Sequence, residues 1–204
     1  MNASYCFILW TIFGLQHSLL ARPFFKKIIN NLFGKNFQTY FYPFIYFISQ
    51  CIIFILIYDL IRNLKPSVIY FSISKDKEIL IYFLNRIANI FLILTVFHFD
   101  IGIFTGISQL KQFFNKKEEK NKINQVINKT YLYKHIRHPM YLGIILVYIT
   151  STTIYSDIFI ANLLSIVFYI DIGSFFEEKS LVRKFGKAYN IYKLQTKKYL
   201  PFIR

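Results

Sequence analysis

Five apolar runs, each near the length needed to cross a bilayer, constrain this chain more than any other feature. They cover Ser4–Ala21, Tyr40–Ile61, Ile79–His98, Met140–Tyr155 and Ile158–Phe176. A hydrocarbon core of roughly 30 Å takes about 20 helical residues. Backbone polar groups in lipid must be satisfied within the segment, which leaves helices as the solution for runs of this kind. Composition agrees: of 204 residues, 55% are hydrophobic and 20% aromatic, too apolar for a soluble domain of this size. The expected class is therefore an all-α integral membrane protein with about five transmembrane helices. Only Ser156-Asp157 separates the last two runs, so a tight antiparallel hairpin is expected there. The first run has its Arg and Lys after the apolar stretch rather than before it, and so reads as a helix rather than a signal peptide.

The formal charge of +15 invites a nucleic-acid reading, but its distribution argues for topology. Loop 22–39 carries four basic residues, loop 99–139 eight and the tail 177–204 eight, against four in loop 62–78. Positive residues collect on the cytoplasmic side, which predicts the amino terminus outside and the carboxyl terminus inside. The same charge favours contact with anionic membrane lipid. Nucleic acid is excluded as a partner. Cys6 and Cys51 fall in apolar runs with no metal-ligand spacing, so neither a metal site nor a disulfide framework is expected. Residues 115–124, rich in Lys, Asn and Glu, read as a solvated hinge.

This topology places His17, His98, His135 and His138, with Asp100, Glu177 and Glu178, at the cytoplasmic boundary. Ionisable groups within a membrane are costly and mark function. In His138-Pro139, proline suits the first turn of a helix, where its missing N–H costs nothing, and biases His138 toward an extended backbone. The amino end of the following helix can then receive a carboxylate. Gly143 allows close approach of a ligand or of a neighbouring helix. Beyond Glu177-Glu178, the helical spacing of Leu181, Phe185, Ala188 and Tyr192 predicts an amphipathic helix on the cytoplasmic surface. Within the third run, Arg86 lies between Asn85 and Asn89; it either snorkels to the surface or pairs with Asp171.

Arg137-His138-Pro139-x-Tyr141-x-Gly143, then Glu177-Glu178-x-x-Leu181-x-x-Phe185-Gly186-x-x-Tyr189-x-x-Tyr192 and Leu200-Pro201, resemble the carboxyl-terminal module of the isoprenylcysteine carboxyl methyltransferase-like membrane enzymes. The resemblance implies a cofactor, S-adenosyl-L-methionine, bound by residues 125–204 through Tyr133, Arg137, His138, Pro139, Met140, Tyr141, Gly143, Glu177, Glu178 and Tyr192. Leu15-Gln16-His17-Ser18 through Arg22-Pro23, with Phe97-His98-Phe99-Asp100 and Gln109, resemble the methanethiol S-methyltransferase branch, whose first half is similar to NnrU-type membrane proteins. One domain spanning 1–204 is expected, with residues 1–110 on the acceptor side.

The implied reaction is methylation of a small thiol, methanethiol to dimethyl sulfide. His17 and His98 are the candidate bases and Asp100 the group that orients one of them. Gly173 stands where the prenylcysteine branch is expected to carry an arginine for its substrate carboxylate, which suits an acceptor lacking one. A lipid or isoprenylcysteine acceptor, or haem held by His17 and His98 in an NnrU-like protein, are the alternatives. The terminal Thr196-Lys197-Lys198 departs from the family's tail, which puts in question whether the tail closes over the cofactor.

Overall fold

The computed structural model describes residues 2–97, 100–115 and 131–200. Its elements in chain order are α1 (Asn2–Ala21), α2 (Pro23–Asn36), a π-turn (Phe37–Phe41), α3 (Tyr42–Arg62), β1 (Ile69–Ser72), α4 (Lys75–Val96), α5 (Ile101–Thr105), α6 (Ile107–Phe114), a 3₁₀ turn (Tyr131–Lys134), α7 (Pro139–Ile149), β2 (Ile154–Ser156), α8 (Asp157–Phe185) and α9 (Lys187–Gln195). Among the described residues, four segments are long and apolar enough to cross a membrane: α1, the span Pro23–Arg62 (α2, kinked at Gly34, with the π-turn and α3), α4 and α8. The protein is an all-α integral membrane protein apart from one short β pair.

Several boundaries differ from the sequence expectation. Residues 22–39, read as a loop, are helical and run through the π-turn into α3. The fourth apolar run is helical only over Pro139–Ile149, about 16 Å at the rise of an α-helix. Thr152 and the residues after it leave the helix instead: β2 pairs antiparallel with β1, Phe71 facing Tyr155. The expected two-residue hairpin at Ser156-Asp157 is therefore replaced by a strand, with Ser156 capping α8 by accepting from the Phe159 N–H at 3.2 Å. Hydropathy could not report this, because Ile154 and Tyr155 are as apolar as a membrane helix. α8 continues past the expected exit at Phe176 to Phe185, and Gly186, at φ 56°, breaks it from α9.

The chain divides into two compact units. In the first (Met1–Lys65 with Phe99–Asn124), α1 packs on α3 and polar side chains tie the two. Tyr42 donates to the Leu20 carbonyl at 2.8 Å, Tyr46 to the His17 carbonyl at 3.1 Å, and Gln16 Nε2 to Gln50 Oε1 at 3.1 Å. Apolar surface gives no drive between helices in lipid, so such bonds and close packing carry the association. Leu15, Leu19, Ile55 and Leu56 face outward from the same pair, as lipid contact requires. The turn between α5 and α6 is seated on the start of α3. Gly106 has φ 82°, and a Cβ there would lie 2.3 Å from the Phe44 nitrogen.

In the second unit (Pro66–His98 with Gln125–Arg204), α4 and α7 form the most extensive helix contact. Asn85 donates to the Val147 carbonyl at 3.2 Å and to Thr150 Oγ1 at 3.0 Å, and Asn89 donates back to Asn85. The polar stripe around Arg86 thus serves helix packing, while Arg86 itself is exposed. Asp171 pairs with Lys198 rather than with Arg86.

Gly106→Ala should lower the melting temperature in detergent sharply, because both the left-handed backbone, worth about 1–3 kcal/mol, and the overlap with the Phe44 backbone oppose it. A melting temperature within a degree or two of the parent would show that the α5–α6 turn is not seated as described.

Candidate functional site

The site in the second unit begins with the consecutive residues Arg137, His138 and Pro139. Pro139 is buried at the first position of α7, and His138 before it has φ −124° and ψ 58°. This is less extended than a residue before proline usually is. Its N–H is engaged by the tail: His138 donates to the Lys198 carbonyl at 3.1 Å, Arg137 to the Lys197 carbonyl at 2.7 Å, and Lys197 to the His135 carbonyl at 3.1 Å. Residues 197–198 therefore lie as a parallel bridge beside 135–138. Tyr199 adds a side-chain clasp, its hydroxyl 2.6 Å from Ser174 Oγ on α8, and Lys198 forms an ion pair with Asp171. Despite its departure from the family's tail, the segment through Tyr199 is fastened to this unit.

Glu178 is the electrostatic centre. Its side chain is buried, Oε1 accepts from Arg137 Nε at 2.7 Å and His138 Nε2 at 3.2 Å, and Oε2 meets Lys193 Nζ at 2.8 Å. Arg137 Nη1 also donates to the Lys193 and Thr196 carbonyls at the end of α9. Guanidinium geometry allows these directions at once, which an ammonium does not. Burying such charges is tolerable only when each is paired and hydrogen-bonded, as here.

Tyr192, fully enclosed, donates to the Tyr133 carbonyl at 2.6 Å and so fixes the 3₁₀ turn against α9. Burial pushes the phenols of Tyr133, Tyr189 and Tyr192 above the ordinary tyrosine range, keeping them neutral. The expected stripe of Leu181, Phe185, Ala188 and Tyr192 is corrected by this packing: Tyr189 and Tyr192 are the buried residues of α9, while Ala188 is exposed.

Glu177 differs from its neighbour. Its side chain is 41% exposed, and Tyr141 donates to Oε2 at 2.9 Å. His138 Nδ1 lies 3.6 Å from the same oxygen, and the His138 ring stacks on Tyr141 with centroids 5.3 Å apart. An ionised Glu178 only accepts, so Nε2 carries the hydrogen toward it and Nδ1 is left facing Glu177. The Glu177 side chain is thus the open part of the cluster, with Met140 and Tyr141 of the chain motif half-buried. Gly143 resolves toward helix packing: a Cβ there would lie 3.1–3.2 Å from Leu92 of α4.

Of the expected site residues, the structure brings together Tyr133, Arg137, His138, Pro139, Met140, Tyr141, Glu177, Glu178 and Tyr192 in this unit. His135 is exposed and outside the cluster. His98 lies outside the described residues. His17 is in the other unit, its ring beside Phe13 and Tyr46 at 5.8 and 5.6 Å. Asp100 is used as the cap of α5, Oδ1 accepting from the Ile103 N–H at 2.9 Å, rather than seen holding a histidine. Sequence reasoning missed Lys193, Ser174, Tyr199 and the Lys198–Asp171 pair. The i, i+15 spacing of Glu178 and Lys193 across a helix break carries no periodic signal. No group of three or more His, Cys, Asp or Glu arranged for a metal occurs among the described residues.

Arg137→Lys keeps the charge and loses the fork. Amide hydrogen exchange at Thr196–Lys198 should accelerate about tenfold or more, the equivalent of losing one hydrogen bond to a charged group, with little change in α4. Unchanged exchange in the tail would mean that Arg137 is not what holds it.

Residues 90–183 match the Isoprenylcysteine carboxyl methyltransferase (ICMT) family. The chain is 28% identical to a methanethiol S-methyltransferase of Crocosphaera subtropica over 94% of its own length and 72% of the relative's. It is 26% identical to a methanethiol S-methyltransferase of Pseudomonas sp. over 95% and 71%, and 24% identical to that of Pseudomonas deceptionensis over 97% and 72%. No solved structure matches the chain. The match to the isoprenylcysteine carboxyl methyltransferase family lies over residues 90–183, and the protein is an integral membrane methyltransferase.

Proposed function

We propose that this enzyme uses S-adenosyl-L-methionine to methylate a small thiol, with methanethiol converted to dimethyl sulfide, at the cytoplasmic face of a membrane in which its amino terminus lies outside. The observation that carries the cofactor assignment is the accessible Glu177 carboxylate, held by Tyr141 and bordered by the His138 ring. The residues fit such a cofactor. A half-exposed carboxylate suits its ammonium or hydroxyl groups, the amino end of α7 suits its carboxylate, and aromatic faces suit a cationic sulfur. When bound, it supplies a methyl group already activated on a sulfonium, for displacement by a thiolate. Orientation and exclusion of water then account for most of the rate. Arg137, Glu178 and Tyr192 serve this by fixing the positions of Glu177 and His138, not by reaching a ligand.

The acceptor assignment rests on similarity to methanethiol S-methyltransferases and on Gly173. A side chain at Gly173 would meet no atom within 4 Å, and Lys198, the cation that reaches α8 two residues earlier, is paired with Asp171. A substrate carboxylate has no evident counter-charge there, whereas a small thiol needs none. Such a thiol must lose its proton, and His17 and His98 are assigned on sequence grounds as its acceptors.

Membranes containing the protein, given methanethiol and S-adenosyl-L-methionine, should release dimethyl sulfide into the headspace. Tyr141→Phe should weaken cofactor binding several-fold, in line with about 1 kcal/mol for one hydrogen bond. His17→Ala should abolish turnover with cofactor binding intact. Cofactor binding without dimethyl sulfide would remove methanethiol as the acceptor, and unchanged turnover in His17→Ala would remove that base.

A further inference from the structure

The first unit contains a cavity of about 330 Å³, within the roughly 300–1,000 Å³ range of small-ligand sites. Lys26 of α2, Gln38 and Thr39 of the π-turn, and Gln109 and Gln112 of α6 line it, with Pro43 behind them. Three backbone irregularities of this unit lie at these elements. Gly34, with φ 84° and ψ 164°, kinks the end of α2 in a conformation open essentially to glycine alone. The five-residue π-turn that follows carries Gln38 and Thr39, and π-turns inside helices recur at functional sites. Gly106, pressed on Phe44, starts α6 and with it Gln109 and Gln112.

Apart from Gln109, the polar lining is unspent. Among the described residues, the Lys26 ammonium, the Gln38 and Gln112 amides and the Thr39 hydroxyl make no side-chain hydrogen bond or ion pair. Gln109 Nε2 donates to the Ile103 carbonyl at 3.2 Å. Acidic residues do not compete: in the described part of this unit they are Asp59, 3.6 Å from Arg62, and Asp100, engaged in capping α5. One cation matches one negative charge, and amides with a hydroxyl match a set of ester and hydroxyl oxygens. That is the pattern of a phosphodiester with a hydroxylated headgroup. The helices that carry Lys26 and Gln112 also carry exposed Phe24 and Phe33 on α2 and Phe114 on α6, which suit acyl chains.

We infer that this cavity is a binding site for a phosphate ester, occupied by the headgroup of an anionic glycerophospholipid. A ligand that binds only the folded state raises its melting temperature with concentration. The full-length protein in neutral detergent is titrated with short-chain phosphatidylglycerol, short-chain phosphatidylcholine and inorganic phosphate, each followed by the thermal midpoint. Phosphatidylglycerol is expected to stabilise more than phosphatidylcholine. Lys26→Gln and Gln112→Met, both with parental midpoints in the absence of ligand, should each weaken the apparent affinity, Lys26→Gln by about tenfold for a lost charge-assisted bond. Stabilisation by inorganic phosphate alone, with the same dependence on Lys26 and Gln112, would keep the phosphate site and overturn the lipid as its source. No stabilisation by any probe, or stabilisation that neither substitution changes, would overturn the site itself.

Discussion

A single buried carboxylate organises the chemical half of this protein. Glu178 draws Arg137, His138 and Lys193 to one point, and through Arg137 it also holds the end of α9 and the turn into the tail. With Glu178 on α8, Lys193 on α9 and Arg137-His138 before α7, the cluster draws on three separate chain segments. Removing one member would leave a buried charge uncompensated, typically a loss of about 3–5 kcal/mol. The cluster is therefore a frame first. What it frames is the adjacent Glu177, which meets the network only through His138, with no Arg or Lys partner among the described residues, and keeps part of its carboxylate open.

Adjacent residues on a helix point about 100° apart, following from 3.6 residues per turn. An acidic pair at the end of a membrane helix can thus face a structural network with one member and a ligand with the other. The pairing with Tyr141 and the stacked His138 ring give Glu177 a defined direction without neutralising it by a cation. The Tyr199–Ser174 and Lys198–Asp171 contacts fasten the tail to α8 on the amino-terminal side of the acidic pair.

The membrane class, the signature Arg137-His138-Pro139 and the acidic pair were legible in the sequence, because apolar run length and motif spacing are local signals. The division of labour between Glu177 and Glu178 was not, since it depends on Lys193 and Arg137 arriving from elsewhere in the chain. The short β pair was hidden by residues equally at home in a lipid-facing helix, Phe71 and Tyr155 among them. Gly143 left two readings open, and Leu92 decides for packing. Asp100 also caps α5 through Oδ1, a local role that Asp takes readily. The cavity around Gln38 and Thr39 depends on a π-turn, which no periodicity announces.

The two acidic neighbours separate frame from ligand contact, and binding measured beside stability tests that separation most directly. Equilibrium binding of radiolabelled S-adenosyl-L-methionine and the melting temperature should be determined for Glu177→Gln and Glu178→Gln in the same detergent. The account predicts that Glu177→Gln loses at least about tenfold in affinity, as for a charge-assisted contact, at a parental melting temperature, and that Glu178→Gln loses stability and binding together. A Glu178→Gln protein as stable as the parent, or a Glu177→Gln protein that binds the cofactor unchanged, would contradict it.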